Sequence, residues 1–134
     1  MKHLKLYESY TDPIIDLGLF LARELSKYTD KKVNFSNDTS IWFWSSTIYR
    51  IHLFDLIKID YYTGDEDRYF QFAFDNNNIS KISKNLSDVM EFLKDTMKKY
   101  IWSQSMIPYS QIDNLMRDIE ENLDTYMESK KYNL

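Results

Sequence analysis

The stretch from residue 47 to residue 75, TIYRIHLFDLIKIDYYTGDEDRYFQFAFD, constrains the fold most, because it is the longest run of strand-favouring residues in the chain. Between 57 and 61, isoleucine and tyrosine alternate with lysine and aspartate, which is typical of a half-buried strand. Phenylalanines alternate in the same way between 70 and 74. The polar residues 63–67 between them include Gly64, which adopts a positive φ at little cost. The pattern predicts an antiparallel hairpin with its tip at 63–67.

The same alternation extends upstream, because Tyr49, Ile51 and Leu53 keep the phase of residues 57–61. One straight strand from 47 to 62 would be about 53 Å long at roughly 3.3 Å per residue. A compact chain of this length has a diameter near 36 Å, by an order-of-magnitude scaling. We therefore expect a bend, bulge or split around 54–56, which would also turn Asp55 away from the apolar side.

Three helices are predicted by apolar residues at helical spacing. The first begins at Asp12-Pro13, an N-cap acid followed by proline, and ends near Thr29-Asp30. The second begins at Asn85 and stops by about Met106, because Pro108 cannot continue it. The third runs from about Ser110 to residue 128, and the tail 129–134 is expected to fray. The short connection at Pro108 predicts that the last two helices pack as an angled or antiparallel pair.

Two further strands are expected upstream of the long stretch, at 33–35 and at 41–44, separated by a turn at 37–39 and followed by a bulge at Ser45-Ser46. The predicted order is therefore α-β-β-β-β-α-α. Strands and helices that are segregated along the chain indicate an α+β domain over residues 1–134. We expect an antiparallel sheet of about four strands with helices packed on one face.

Composition excludes several classes of function. The chain has 134 residues, no cysteine and a formal net charge of −4, so neither disulfides nor a thiolate metal site is possible. No basic stripe is present, which argues against direct nucleic-acid binding. No apolar run is long enough to cross a membrane, and the N-terminus lacks a secretion signal, so we expect a cytoplasmic protein. Abundant Lys, Ile, Asn and Tyr with few Ala and Gly indicate an AT-rich genome, such as that of a Firmicute, its phages or its plasmids.

An acidic ridge is predicted on the third helix, which carries six acidic residues between 113 and 128 and one arginine. Four of them are three or four residues apart and share a helix face: Glu120, Glu121, Asp124 and Glu128. Such a ridge either mimics phosphates and docks on a basic partner, or is an ordinary solvated face.

Aromatic residues are in excess, at 16% of the chain with eleven tyrosines. Their polar tips favour the surface or its margin, and exposed Trp and Tyr often anchor protein interfaces. A second small core is the alternative use of the same rings. The candidates for an interface are Trp42, Trp44, Trp102 and Tyr62, with Tyr61 and Tyr69 nearby in sequence. Trp102 lies off the apolar stripe of the second helix, so either that helix has ended or Trp102 is exposed.

Catalytic and metal-binding signals are weak. His52 shares strand phase with Arg50, Lys58 and Asp60, a set that is able to support phosphodiester chemistry with histidine as base. A partly exposed strand histidine is the simpler interpretation. The acids at 65–67 do not have the alternate spacing of a calcium loop, so a solvated hairpin tip is expected there. We expect no metal and no cofactor.

The sequence therefore favours a small acidic non-catalytic protein that docks on or occludes a partner protein, as inhibitors, immunity proteins and phage anti-defence proteins do. The partner is expected to be a protein, such as a basic nucleic-acid-binding protein. Two alternatives stay open. One is a small nucleotide- or phosphodiester-processing enzyme that uses His52, and the other is a homodimeric interaction protein that associates through its sheet edge or aromatic face.

Overall fold

The fold was analysed in a computed structural model, which describes residues 13–29, 35–43, 46–53, 56–62, 68–75, 84–102 and 106–132, with backbone only for 35–43, 46–49 and 62. The described residues contain three helices, α1 (Pro13–Ser26), α2 (Lys84–Lys98) and α3 (Ile112–Lys131), with a 3₁₀ turn at Tyr109–Gln111 before α3. The strands are β1 (Phe35–Phe43), β2 (Ser46–Leu53), β3 (Ile57–Tyr62), β4 (Tyr69–Phe74) and β5 (Met106–Pro108).

The five strands form one antiparallel sheet in the order β1-β2-β3-β4-β5. The predicted α+β class and the order α-β-β-β-β-α-α of the longer elements are confirmed. The predicted hairpin is β3–β4, in which Tyr61 pairs with Phe70 and Ile57 with Phe74. Its tip at 63–67 lies outside the described residues, as do the acids considered there for calcium.

The predicted break in the long stretch is a complete chain reversal. Leu53 ends β2, Ile57 begins β3, and these two residues are partners in an antiparallel ladder. The Leu56 N–H donates to the Leu53 carbonyl at 3.0 Å, which closes the turn. Phe54 and Asp55 themselves lie outside the described residues. The reversal explains why one phase continues across the break: both strands direct the same alternate residues to the core.

The predicted turn at 37–39 is wrong, because β1 runs continuously through these residues. Pairing with β2 satisfies the backbone groups of alternate residues along this segment, which outweighs the local turn preference of Asn37 and Asp38. Ser45, the first residue of the bulge expected at Ser45-Ser46, lies outside the described residues. Ser46 is the first residue of β2 and pairs with Phe43, whereas the register shifts between Thr39 and Ile41.

The helix ends differ from the prediction. Helix α1 ends at Ser26 rather than near Thr29-Asp30, and α3 begins at Ile112, after the 3₁₀ turn, rather than near Ser110. Helix α2 includes Lys84, one residue before the expected cap, and it ends at Lys98. The chain then forms β5, a three-residue strand that the sequence pattern did not predict. Helix α3 continues to Lys131, so the expected fraying from residue 129 is wrong up to that point. The ion pair between Lys130 and Glu91, at 3.2 Å, holds the last turn of α3 against α2.

The core lies between the helices and one face of the sheet. The buried strand residues have one alternation: Ile51, Leu53, Ile57, Ile59, Tyr61 and Phe70. The helices contribute the predicted apolar stripes, including Leu17, Leu21, Leu93, Leu115, Ile119 and Leu123. Leu19 is an exception, since 48% of it is exposed and α1 is not covered on that side. Helices α2 and α3 are antiparallel, because Tyr100 contacts Asp118 while Glu91 contacts Tyr126.

Candidate interaction surface

The face of the sheet opposite the core carries the polar residues that alternate with the buried residues along each strand. Arg50 in β2, Asp60 in β3 and Gln71 in β4 are successive Cα partners, and the row ends at Met106 in β5. A second row runs through His52, Lys58 and Ala73. No described helix packs on this side, and the described side chains of both rows are partly or fully exposed. We call this side the open face.

An ion pair lies in the first row of the open face. The Arg50 guanidinium donates two hydrogen bonds to the Asp60 carboxylate, from Nε to Oδ1 at 2.6 Å and from Nη2 to Oδ2 at 2.9 Å. The hydrogen bond to Asp60 raises the pKa of Arg50, against an opposing effect of burial. Because the pair is bidentate, both groups are held in one orientation. Sequence spacing put these residues in one phase, but only the β2–β3 register makes them neighbours.

Trp102 is exposed to 72%, the largest value among the described large hydrophobic residues. Its ring nevertheless has a defined position, because it stacks on Tyr69 with centroids 5.7 Å apart and planes inclined by 9°. Its backbone N–H donates to the Met106 carbonyl at 2.8 Å. Tyr69 belongs to β4 and shares the alternation of Gln71, so Trp102 lies over the β4 end of the open face.

The adjacent end of β4 is also ordered by aromatic contacts. The Arg68 guanidinium lies 4.5 Å from the centroid of the Tyr109 ring. The Tyr109 N–H donates to the Arg68 carbonyl at 3.0 Å, which continues the β4–β5 pairing into the turn before α3. This pair lies on the core side of the sheet, because Tyr109 also contacts the buried Phe70 with ring centroids 5.9 Å apart. Trp102 and Tyr69 lie on the open face, and exposed aromatic rings of this kind are enriched at protein interfaces.

His52 lies in the open face between Ser36 and Lys58 in register. Arg50, which the enzymatic hypothesis assigns to charge stabilisation, donates both of its hydrogen bonds to Asp60 instead. Within the described part of the chain, no three His, Asp or Glu side chains form a group able to hold a metal ion. The catalytic hypothesis stays a prediction.

The acidic ridge lies on the exposed side of α3, as its spacing predicts: Glu120, Glu121, Asp124 and Glu128 are all exposed. It is less isolated than the sequence indicates. Asp124 accepts a hydrogen bond from the Tyr28 hydroxyl at the end of α1. Burial, followed by this hydrogen bond and the Asp124 charge, raises the pKa of Tyr28.

A cleft of about 670 Å³ adjoins the ridge between the end of α3 and the start of α2. Asp124 and Glu128 line it together with three lysines, Lys84, Lys130 and Lys131. The positive and negative charges in this region partly cancel. The ridge is therefore a weaker attractant for a basic partner than the sequence alone indicates.

The other aromatic candidates are only partly within the described residues. Trp42 lies in β1 opposite Thr47, and Tyr62 ends β3 opposite Ile48, but their side chains are not described. Trp44 lies outside the described residues. Of the four aromatic interface candidates, the structure thus assigns a described surface to Trp102 alone.

No known protein family, curated protein or solved structure matches this chain. None of the described helices is both long enough and apolar enough to span a membrane.

Proposed function

We propose that this protein is a non-catalytic binding protein that docks on a partner protein through the open face of its sheet, with Trp102 as the anchor. The proposal is supported above all by one observation. Trp102 is 72% exposed and yet is held in place by the Tyr69 ring and the Met106 carbonyl. A large aromatic ring that is already ordered loses little side-chain entropy on binding, so most of its burial contributes to affinity.

The size of the surface agrees with this role. A standard interface uses about 800 Å² per partner, and the whole chain exposes 8718 Å². The open face with Trp102 and Tyr69 therefore suffices. The Arg50–Asp60 pair and Lys58 supply a polar surround, as hot-spot residues usually have. Inhibitors, immunity proteins and phage anti-defence proteins act by occluding a surface of a partner protein, and we propose the same mode of action for this protein.

The test uses wild type, Trp102→Ala and Tyr132→Ala as bait in lysates of bacteria that have AT-rich genomes. Titration calorimetry then measures the affinity of each form for any recovered protein. We expect wild type and Tyr132→Ala to bind the same partner and Trp102→Ala to lose at least about tenfold in affinity, or 1.4 kcal/mol. Tyr132 is a matched control because it is an exposed aromatic, at 59%, after the end of α3. Equal affinity of Trp102→Ala and wild type would contradict the proposal.

A double variant distinguishes docking on the open face from docking on the acidic ridge. Glu120→Lys with Glu121→Lys reverses two ridge charges and leaves the sheet unchanged. If binding is lost in this variant and kept in Trp102→Ala, the partner docks on α3, and a basic partner is then expected.

A further inference from the structure

The exposed Trp102 ring belongs to an apolar patch where β4 and β5 meet on the open face. Pro108 is the Cα partner of Tyr69. Ile107 is buried in the core at 1% exposure, so the alternation of β5 places Met106 and Pro108 on the open face. Tyr69, Met106 and Pro108 are each partly exposed. We call these three residues together with Trp102 the Trp102 patch.

The Trp102 patch is ordered by contacts among its own members. The Trp102 ring stacks on Tyr69 with centroids 5.7 Å apart, and the Trp102 N–H donates to the Met106 carbonyl at 2.8 Å. Most of the indole stays accessible, since Trp102 is 72% exposed. A partner that covers this patch therefore meets a surface whose shape is already set, which lowers the cost of ordering it.

The patch contains no ionisable side chain except the Tyr69 phenol, and the cations that flank it in sequence already have partners. Lys98 and Lys99 precede Trp102 in the chain. The Lys98 ammonium contacts Asp95 at 3.7 Å, and the Lys99 ammonium contacts Asp118 at 3.5 Å. These carboxylates compensate the two positive charges at the end of α2.

The charged residues of the neighbouring strands are compensated or distant. The Arg68 guanidinium lies over the Tyr109 ring on the core side of the sheet. Arg50 donates two hydrogen bonds to Asp60, one row away from Tyr69 on the open face.

Lys58 is too far away to act on the patch. It is the partner of Ala73, which lies four residues along β4 from Tyr69, or about 14 Å at roughly 3.4 Å per residue. This separation exceeds the Debye length of about 8 Å at physiological ionic strength. Among the described residues, charge therefore surrounds the patch only as neutral pairs or beyond the screening distance.

We infer that the partner protein presents an uncharged apolar surface, with aromatic, aliphatic or proline side chains, to the Trp102 patch. This inference rests on the proposed function and names the chemistry of the partner. An apolar group that covers Trp102 displaces only water, whereas a charged group would lose hydration next to charges that already have partners. An apolar centre with a polar surround is also the usual anatomy of a protein interface.

The first experiment selects random peptides displayed on phage against wild type and discards those that also bind Trp102→Ala. We expect the remaining peptides to be enriched in aromatic, aliphatic and proline residues and not in Lys, Arg, Asp or Glu. Tyr132→Ala is the matched control, since Tyr132 is an exposed aromatic at 59%, and it should retain all of them. Remaining peptides rich in charged residues, or no peptide that distinguishes Trp102→Ala from wild type, would overturn the inference.

The second experiment measures the affinity of one selected peptide by calorimetry at about 0.05 M and about 0.5 M NaCl. We expect Kd to change by less than about threefold, because salt screens only charged contacts. Met106→Lys should weaken binding at least about tenfold by placing a charge in the patch. Glu120→Lys introduces the same side chain on α3 and should have no effect. A tenfold salt effect, or equal affinity of the Met106→Lys variant and wild type, would contradict an apolar contact.

Three acids precede β4 in the sequence, at 65–67, and lie outside the described residues. The triple variant Asp65→Asn, Glu66→Gln and Asp67→Asn removes their charges. We expect it to bind the selected peptide within about threefold of wild type. A loss of tenfold or more would show that these acids direct binding and would overturn the inference.

The results also distinguish this inference from the proposed function. If Trp102→Ala lowers affinity for the partner recovered from a lysate but that complex dissociates in salt, the docking function stands and the inference fails. If apolar peptides depend on Trp102 while the recovered partner binds Trp102→Ala as well as wild type, the patch binds apolar groups but does not dock that partner, and the proposed function fails.

Discussion

Arg50 and Asp60 face each other across β2 and β3 through two hydrogen bonds of 2.6 and 2.9 Å. Both side chains are about a quarter exposed, at 26% and 27%. The pair stabilises the register of β2 and β3, because slippage by one residue would separate the two charges. It also fixes the polar surround of the proposed docking surface.

The coupling energy of this pair should be measurable by a double-mutant cycle with Arg50→Ala and Asp60→Ala. We expect about 1 kcal/mol at low salt, since the geometry is bidentate and solvent still reaches both groups. About 1 M salt should reduce it. The same cycle at Lys98 and Asp95, a long and exposed contact, should give a value close to zero. Equal coupling in the two cycles would contradict the importance of the bidentate geometry.

Trp102, which is 72% exposed, should contribute to the solvent-accessible tryptophan fluorescence. We expect Trp102→Phe to reduce the iodide-quenchable emission and to lower the free energy of unfolding by about 1 kcal/mol or less, because it keeps an aromatic ring over Tyr69. Iodide quenching and urea unfolding of the two proteins check this. Unchanged quenching in the variant would show that the indole is covered in solution.

Acid should weaken the contact between α2 and α3 through Asp118. Burial disfavours its charged form, but hydrogen bonds from Tyr100 and Asn122 and the Lys99 ammonium outweigh burial and lower the pKa of Asp118. A carboxyl whose pKa is lower in the folded state stabilises the fold above its unfolded pKa of about 3.9, and this contribution is lost as the pH falls through the folded value.

Asp118→Asn should therefore cost about 1–2 kcal/mol of unfolding free energy near neutral pH, and less below about pH 4. Urea unfolding from neutral pH to pH 3 measures the difference. Asp95→Asn is the control, because its side chain is 68% exposed. If the two variants lose the same stability at every pH, Asp118 has no special role in acid.

Alkali should weaken the contact between α1 and α3 through Tyr28. Burial and the hydrogen bond to Asp124 raise the pKa of its hydroxyl. A group with a raised folded pKa stabilises the fold fully below its unfolded pKa, about 10 for tyrosine, and the contribution disappears as the pH rises through the folded value. Tyr28→Phe should cost about 1 kcal/mol at neutral pH and flatten the decline in stability above pH 10.

Denaturant unfolding between about pH 8 and 11 tests this expectation, within the range where tyrosine begins to ionise. Tyr132→Phe is the matched control, since Tyr132 is 59% exposed. A decline above pH 10 that is the same in all three proteins would show that other groups govern alkaline unfolding.

Most of the fold followed from periodicity. The alternation at 57–61 and at 70–74 predicted β3 and β4, and the helical stripes predicted α1, α2 and α3, because burial of one side of an element leaves a direct mark on its sequence. Errors arose where pairing overrode local preference. Asn37 and Asp38 favour turns in isolation, but pairing with β2 holds them in a strand. β5 is too short to have a period.

The candidate sites depended more on contacts between distant residues. The position of Trp102 off the apolar stripe of α2 had two interpretations, and exposure was one of them. The stack on Tyr69 that orders its ring was not predictable, because it joins residues from different elements. An apolar groove of about 190 Å³ lined by Phe72, Phe74 and Ile101 left no sequence signal, since each of these residues is equally suited to a core.

The amino-acid sequence by itself determined which residues form strands and helices and which side of each element is apolar, because these properties depend on neighbours along the chain. Only the tertiary structure decided that Arg50 meets Asp60, that Trp102 lies on Tyr69 and that β5 pairs with the first half of β4. These relationships depend on strand direction and register, which arise when segments far apart in sequence pair and pack.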